Sequence, residues 1–255
     1  MATGPIIWNK VQYKDFSYVA GILAVFCVSL VSLPTSAAAG TADTQSGVAE
    51  ADLSNYDRAR ATLGDDFISP EEIAHAESIA YTREQLAHFR KTLPGKQALE
   101  WYHSRGYLLV AGPPQAMSLL DIRAAKAGAV SLKHAKWYAA EREKFSRDDK
   151  ALPGWIALRK EPLPESLNKN WDQQMQLIAV PADIPNVAEL VWGLTAYKVV
   201  RDIYLLPNGY VRTASVDSHA NHVFAGDFDS TGLGVFNVQD EVSGSDLGIS
   251  ASRKF

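Results

Sequence analysis

Between Asp217 and Phe255 the chain reads DSHANHVFAGDFDSTGLGVFNVQDEVSGSDLGISASRKF. His219 and His222 stand close to Asp217, Asp227 and Asp229, and these are residue types that hold zinc. On a helix such a pair can share one ion. This segment alternates apolar and polar residues, so it reads as loop and strand, where that spacing sends the two side chains to opposite faces. No glutamate sits between the histidines as in the helical H-E-x-x-H pattern, and loop histidines are the plainer reading. Asp227-x-Asp229-x-Thr231-Gly232 opens like a calcium loop, but Val238 occupies the twelfth position, which needs a bidentate acid. An EF-hand is excluded. A looser calcium site of carboxylates and carbonyls stays open beside Asp and Gly acting as turn formers. No cofactor is expected.

Other chemistries find less support. The chain has no G-x-S-x-G elbow, no G-x-G-x-x-G and no P-loop pattern. Its one cysteine is Cys27, so neither a disulfide framework nor a cysteine-based metal site can form within one chain. No enzymatic activity is expected. The net charge of −4 and the lack of any basic cluster give no reason to expect a nucleic-acid partner. At 255 residues and 47% hydrophobic, the chain can bury a sizeable core.

The elements that would position these residues follow from capping and periodicity. Ser69-Pro70-Glu71-Glu72 starts a helix, with Ile73, Ala76, Ile79 and Ala80 as its apolar stripe. Thr82 and Gln85 make a capping box for a second helix, which Pro94-Gly95 stops. Leu99, Trp101 and Tyr102 belong to a third, ending near Gly106, and Ser118 to Ala127 looks helical. Tyr107–Ala111 and Trp155–Arg159 read as strands bounded by Gly and Pro. Asn186 caps a helix running to Val200, with Val187, Leu190, Val191, Leu194, Tyr197 and Val200 on its apolar face. The run Glu141–Lys150 reads as a solvated helix face and loop, and the tryptophans as core.

Beyond Arg201 the period becomes two. Ile203–Leu206 and Tyr210–Thr213 are expected to pair across Pro207-Asn208-Gly209. His222–Phe228, Leu233–Phe236 and Leu247–Ser250 follow as short strands of an antiparallel sheet. Val223, Phe228, Leu233, Val235, Leu247 and Ile249 should hold that sheet. The fold class is therefore α+β.

At the other end, Lys10 and Lys14 precede an apolar run from Tyr18 to Leu33, with Pro34 and Ala37-Ala38-Ala39 after it. Charge, apolar core and small-residue site in that order read as a secretory signal. The run is about 16 residues, short of the ~20 a bilayer span needs. A retained anchor, with membrane contact through Tyr18–Leu33, is the competing expectation. The chain is thus expected to be exported: periplasmic, secreted or at the cell surface. The expected division is 1–39 signal peptide or anchor, 40–65 flexible linker, 66–150 helical region and 151–255 C-terminal domain.

The phrases WIALRK, PESLNKNWDQQ, IPNVAELVWGLTAYKVVRDIYLLPNGYVRTASVDS and LGISASRKF resemble bacterial proteins whose tails are variable C-type-lectin-like domains, the targets of diversity-generating retroelements. The resemblance runs from Trp155 to Phe255. It implies a compact antiparallel lectin-like sheet flanked by helices, a last strand that pairs back into the fold, and variable side chains on a ligand-binding face. It also implies miscopying at template adenines, typically in asparagine codons, from which Lys, Glu, Gln, Met and Trp are unreachable. From Asp217 to Asp246 only Gln239 and Glu241 belong to that set, where whole-chain usage would give about five. A formylglycine-making enzyme of the same broad fold would need paired cysteines for copper, and no cysteine follows Cys27.

The candidate ligand-binding residues are His219, Ala220, Asn221, Phe224, Asp227, Phe236, Asn237, Gln239, Glu241, Ser243 and Ser245. An exposed Phe among polar residues suits a binding anchor; the plainer account is a sheet edge with solvated loops. The first functional expectation is a non-enzymatic, exported or surface-tethered protein that binds a protein or glycan. The second is a structural subunit of an envelope or membrane complex held by the N-terminal helix, and the third a hydrolase with no recognisable site.

Overall fold

The computed structural model describes residues 55–178 and 183–254. The expected signal or anchor at Tyr18–Leu33 lies outside them. Helix 55–63 buries Ala59 and Leu63, so ordered structure begins inside the stretch read as linker. Among the described residues no helix is long and apolar enough to cross a membrane.

The strands are β1 (Phe67–Ile68), β2 (Tyr107–Ala111), β3 (Met117–Ser118), β4 (Lys150–Ala151), β5 (Trp155–Arg159), β6 (Tyr210–Val216), β7 (His222–Asp229), β8 (Gly232–Val238), β9 (Leu247–Ile249) and β10 (Ser252–Lys254). One sheet has the order β1-β2-β5-β10, so strands from both sides of residue 150 share it. A second has the order β8-β7-β6-β9, and β3 pairs with β4. The last strand, β10, returns to lie antiparallel to β5. The architecture is α+β with antiparallel-rich sheets.

Local chemistry explains the helices. Capping boxes at Ser69/Glu72, Thr82/Gln85, Ser118/Asp121, Asn170/Gln173 and Asn186/Glu189 each satisfy two orphan backbone donors. The first of these helices spans Pro70–Glu77 and stops because Ser78 turns left-handed at φ 56°, leaving Ile79 and Ala80 outside the expected stripe. Helix Val187–Arg201 is buried on all sides from Val187 to Tyr197, a wider face than its periodicity indicates. It lies so close to β5 that a Cβ at Gly193 would fall 2.2 Å from Leu158 Cδ1. Trp192 Nε1 donates to Ala111 O at 2.8 Å, tying this helix to β2, and Trp155 Nε1 donates to Phe89 O at 2.8 Å.

Two expectations about the C-terminal strands are corrected. Ile203–Leu206 is not a strand: Asp202 and Leu206 take φ values of 58° and 54°, which turn the chain away from an extended path. The second sheet is not wholly antiparallel, because β9 runs parallel to β6, with Tyr210 opposite Leu247 and Arg212 opposite Ile249. Parallel neighbours need a crossover, and residues 239–246 supply it. They leave the end of β8, where Val238 pairs with His222, and return to the start of β6 at Tyr210. The framework residues Val223, Phe228, Leu233, Val235, Leu247 and Ile249 are all buried; Val223 and Phe228 differ in parity along β7, where the register shifts between Gly226 and Asp229.

Candidate ligand-binding face

In an antiparallel pair, directly opposed residues point to the same face. Phe224 of β7 opposes Phe236 of β8, and their rings stack at 5.5 Å and 22°. Tyr210 meets both edge-on, at 5.3 Å and 5.6 Å and 87° to each. All three are half-buried, whereas Val223, Ala225 and Val235, on the intervening positions, are fully buried. The ring of Phe236 lies over Gly234, where a Cβ would be 2.4 Å from Phe236 Cε2, so the missing side chain there makes its seat. The crossover returns beside these rings. Between them and Val242, Ser243, Gly244, Asp246 and Leu247 is a cleft of about 360 Å³. Beside it a depression of about 560 Å³, lined in part by Leu167, Ile203, Tyr204, Leu206 and Ser245, shares Asp246.

The crossover is held by its backbone. Asp240 O accepts from Trp171 N at 2.9 Å, Gly244 O from Asn168 N at 2.8 Å, and Asp246 O from Tyr210 N at 2.8 Å. Arg212 is wholly buried; its Nη2 donates to Val242 O at 2.6 Å and its Nη1 to Gln174 Oε1 at 2.9 Å and Lys169 O at 3.3 Å. These bonds ask nothing of the side chains of Gln239, Glu241, Ser243 and Ser245, all of which are exposed. His222 braces the start of the crossover: it stacks on Trp171 at 3.4 Å, and its Nδ1 lies 2.7 Å from Asp240 Oδ1.

A second group of candidates forms a polar turn. Asp217 accepts from His219 N at 2.8 Å, Asn221 N at 2.9 Å, Asn221 Nδ2 at 3.1 Å and Asn237 Nδ2. Burial alone would raise its pKa; the bonds from Asn237, Asn221 and His219 outweigh that and hold it below the usual carboxylate range. Ala220 sits at the tip with φ 63°, exposed like His219. Ser218 N and Oγ donate to the buried Glu143 at 2.9 Å and 2.8 Å. Glu143 therefore faces inward, which corrects the reading of Glu141–Lys150 as a wholly solvated run. Its two bonds to Ser218 repay the burial of its charge.

Asp227 stands apart from both groups. Lys133 Nζ reaches Asp227 Oδ2 at 3.0 Å and Asp229 Oδ1 at 3.1 Å, and donates to Asp227 O at 2.8 Å. Asp229 also accepts from Thr231 Oγ1 at 2.6 Å and Thr231 N at 2.8 Å, and these bonds with Lys133 lower its pKa to about 2. An ammonium thus occupies the position between the carboxylates considered for calcium. Among the described residues no group of three or more His, Cys, Asp or Glu is arranged to hold a metal. Nor do Asp217, Ser218 and His219 form a proton relay. Ser218 and Asp217 both approach the same ring nitrogen, at 3.4 Å and 3.9 Å, and Ser218 Oγ already donates to Glu143.

None of the eleven candidates is buried. The fold gathers Phe224, Phe236 and Ser243 at the cleft, and His219, Asn221 and Asn237 at the Asp217 turn; Asp227 is committed to Lys133. Sequence reasoning missed Tyr210, Val242 and Asp246 as cleft residues. Tyr210 had a legible signal, since it precedes the apolar Val211 and so points to the opposite face of the strand. The bracing by Lys133, Arg212 and Glu143 had none, because each partner lies dozens of residues away. No protein-family model, curated protein or solved structure matches this chain.

Proposed function

We propose that this is a non-catalytic binding protein, exported or tethered at the cell surface, whose C-terminal part is a C-type-lectin-like domain that meets a protein or glycan through the crossover face. One observation carries the reading: Tyr210, Phe224 and Phe236 present partly exposed rings to an open cleft while the alternate positions on the same strands fill the core. Partly exposed aromatic side chains supply large, stiff contact area at low entropic cost. The backbone anchoring of residues 239–246 supports the retroelement reading as well, since it lets side chains change without moving the loop.

The test is capture. The immobilised full chain is screened against glycan and extracellular-protein arrays, beside the Phe224→Ser/Phe236→Ser double variant. Binding should fall at least about tenfold in the double variant, as for loss of interface anchors, with cooperative unfolding retained. Equal capture by both proteins, or a variant that fails to fold, refutes the face. Separately, DNA flanking the coding sequence should carry a reverse transcriptase and a near-copy of the segment encoding Asp217–Phe255. Without them the retroelement reading falls and the binding face stands.

A further inference from the structure

Of the residues that line the cleft only Asp246 is charged; the Arg212 guanidinium, which donates to Val242 O of that lining, is wholly buried and bonded within the fold. From Thr213 to Ser252 there is no Lys or Arg, but six acids: Asp217, Asp227, Asp229, Asp240, Glu241 and Asp246. Four are matched within the protein. Amide donors saturate Asp217, Lys133 pairs with Asp227 and Asp229, and His222 meets Asp240. Glu241 and Asp246 are exposed and have no ion-pair partner among the described residues. Asp246 lines the same cleft as the rings of Tyr210, Phe224 and Phe236. Burial, then the negative charges of Asp227 and Asp246, raise the Tyr210 phenol above the usual tyrosine range against the opposing charge of Lys133.

Aromatic faces attract cations through the ring quadrupole, and a nearby carboxylate adds Coulomb attraction. Accordingly, and resting on the binding-face reading above, we propose that the cleft seats a basic side chain, a guanidinium or alkylammonium group, of a protein partner, with Asp246 as its counter-ion. Charge complementarity selects a cation over an acid or a neutral sugar. The adjoining depression, which shares Asp246 and is lined by Leu167, Ile203, Tyr204 and Leu206 beside Glu161 and Lys160, the latter paired with Asp66, selects a chain over a free cation. It offers an apolar seat for the residue next to the basic one. An arginine also matches the flat Phe224–Phe236 pair by stacking.

The test uses the full chain with labelled Phe and Tyr rings and follows their NMR signals during titration with N-acetyl-Leu-Arg-amide. The controls are its citrulline isostere, N-acetyl-Leu-Glu-amide and a neutral oligosaccharide. The arginine peptide should move the Phe224, Phe236 and Tyr210 signals at a concentration about fivefold lower than the citrulline peptide, a ratio fitting an exposed cation–π contact. Asp246→Asn, an exposed substitution that leaves the fold intact, should erase that difference. Equal response to arginine and citrulline, no effect of Asp246→Asn, or no ring shift with any peptide overturns the cationic site. Ring shifts with the acidic peptide or the sugar alone also overturn it, while leaving the binding face standing. Failure of the face itself is read separately, from the Phe224→Ser/Phe236→Ser capture experiment.

Discussion

Replacing Asp217 by Ala tests whether the polar end of the face is a built frame. The carboxylate side chain is fully buried and accepts four hydrogen bonds, from His219 N, Asn221 N, Asn221 Nδ2 and Asn237 Nδ2. A bond to a charged acceptor is worth about 1.5–3 kcal/mol net. The four share one group and do not add, and the donors at the exposed tip regain water. The expected loss is therefore about 3 kcal/mol, and at about 2–4 °C per kcal/mol for a chain of this size Tm should fall by about 6–12 °C. The pH dependence gives a sharper signature. The folded pKa of Asp217 lies below its unfolded value of about 3.9. Its contribution is thus fully present above that pH and is lost as pH falls through the folded pKa. The gap between wild type and Asp217→Ala, measured by thermal and urea unfolding, should be full at pH 7 and narrow as pH falls below about 3.9. Asp217→Asn keeps one acceptor oxygen and should show a smaller gap at pH 7 that narrows in acid in the same way, because neither variant carries the titrating group. A deficit under about 1 kcal/mol at pH 7, or one that persists unchanged in acid, refutes the reasoning.

Further outcomes follow from the same geometry. Gly234→Ala puts a Cβ 2.4 Å from Phe236 Cε2; the ring can swing away, so stability should drop by only about 1 kcal/mol while the Phe236 NMR signal shifts and capture weakens. Thr231→Val and Lys133→Ala should each raise the Asp229 pKa from about 2, because each removes a bond that favours the carboxylate, as carboxyl NMR titration would show. Lys126, 3% exposed and 4.3 Å from the Trp192 ring centroid, pairs through its ammonium with the buried carboxylate of Glu77; Glu77→Ala strands that ammonium, and unfolding should show a loss of about 3–5 kcal/mol, largely recovered by Glu77→Leu/Lys126→Met.

Periodicity and capping made most of the elements legible. Ser69, Thr82, Ser118 and Asn186 each announce a helix because a short polar side chain satisfies a nearby donor, a local interaction between residues three apart. Strands β2 and β5 stood out as apolar runs between Gly and Pro, and the outward parity of Phe224 and Phe236 was visible in the alternation of β7 and β8. What depends on distant pairing was not visible. Ile203–Leu206 has the composition of a strand, yet the left-handed turns at Asp202 and Leu206 deny it a partner. The parallel placement of β9 depends on where residues 239–246 cross, and that path is fixed by Arg212, Asn168 and Trp171. Glu143 sits in a charged run and reads as solvated because Ser218, its partner, lies 75 residues on.

The separation of framework from presented surface can be measured without knowing the ligand, by a single-substitution scan of residues 217–249 in the displayed full chain, scored by protease resistance. Polar substitutions at Val223, Ala225, Phe228, Leu233, Val235 and Ile249 should abolish resistance. Most substitutions at His219, Phe224, Phe236, Gln239, Glu241, Ser243 and Ser245 should leave it intact, with Asn221 and Asn237 intermediate through their bonds to Asp217. If Phe224 and Phe236 prove as intolerant as Val223 and Val235, the rings belong to the core, and the account of a face free to meet a partner is wrong.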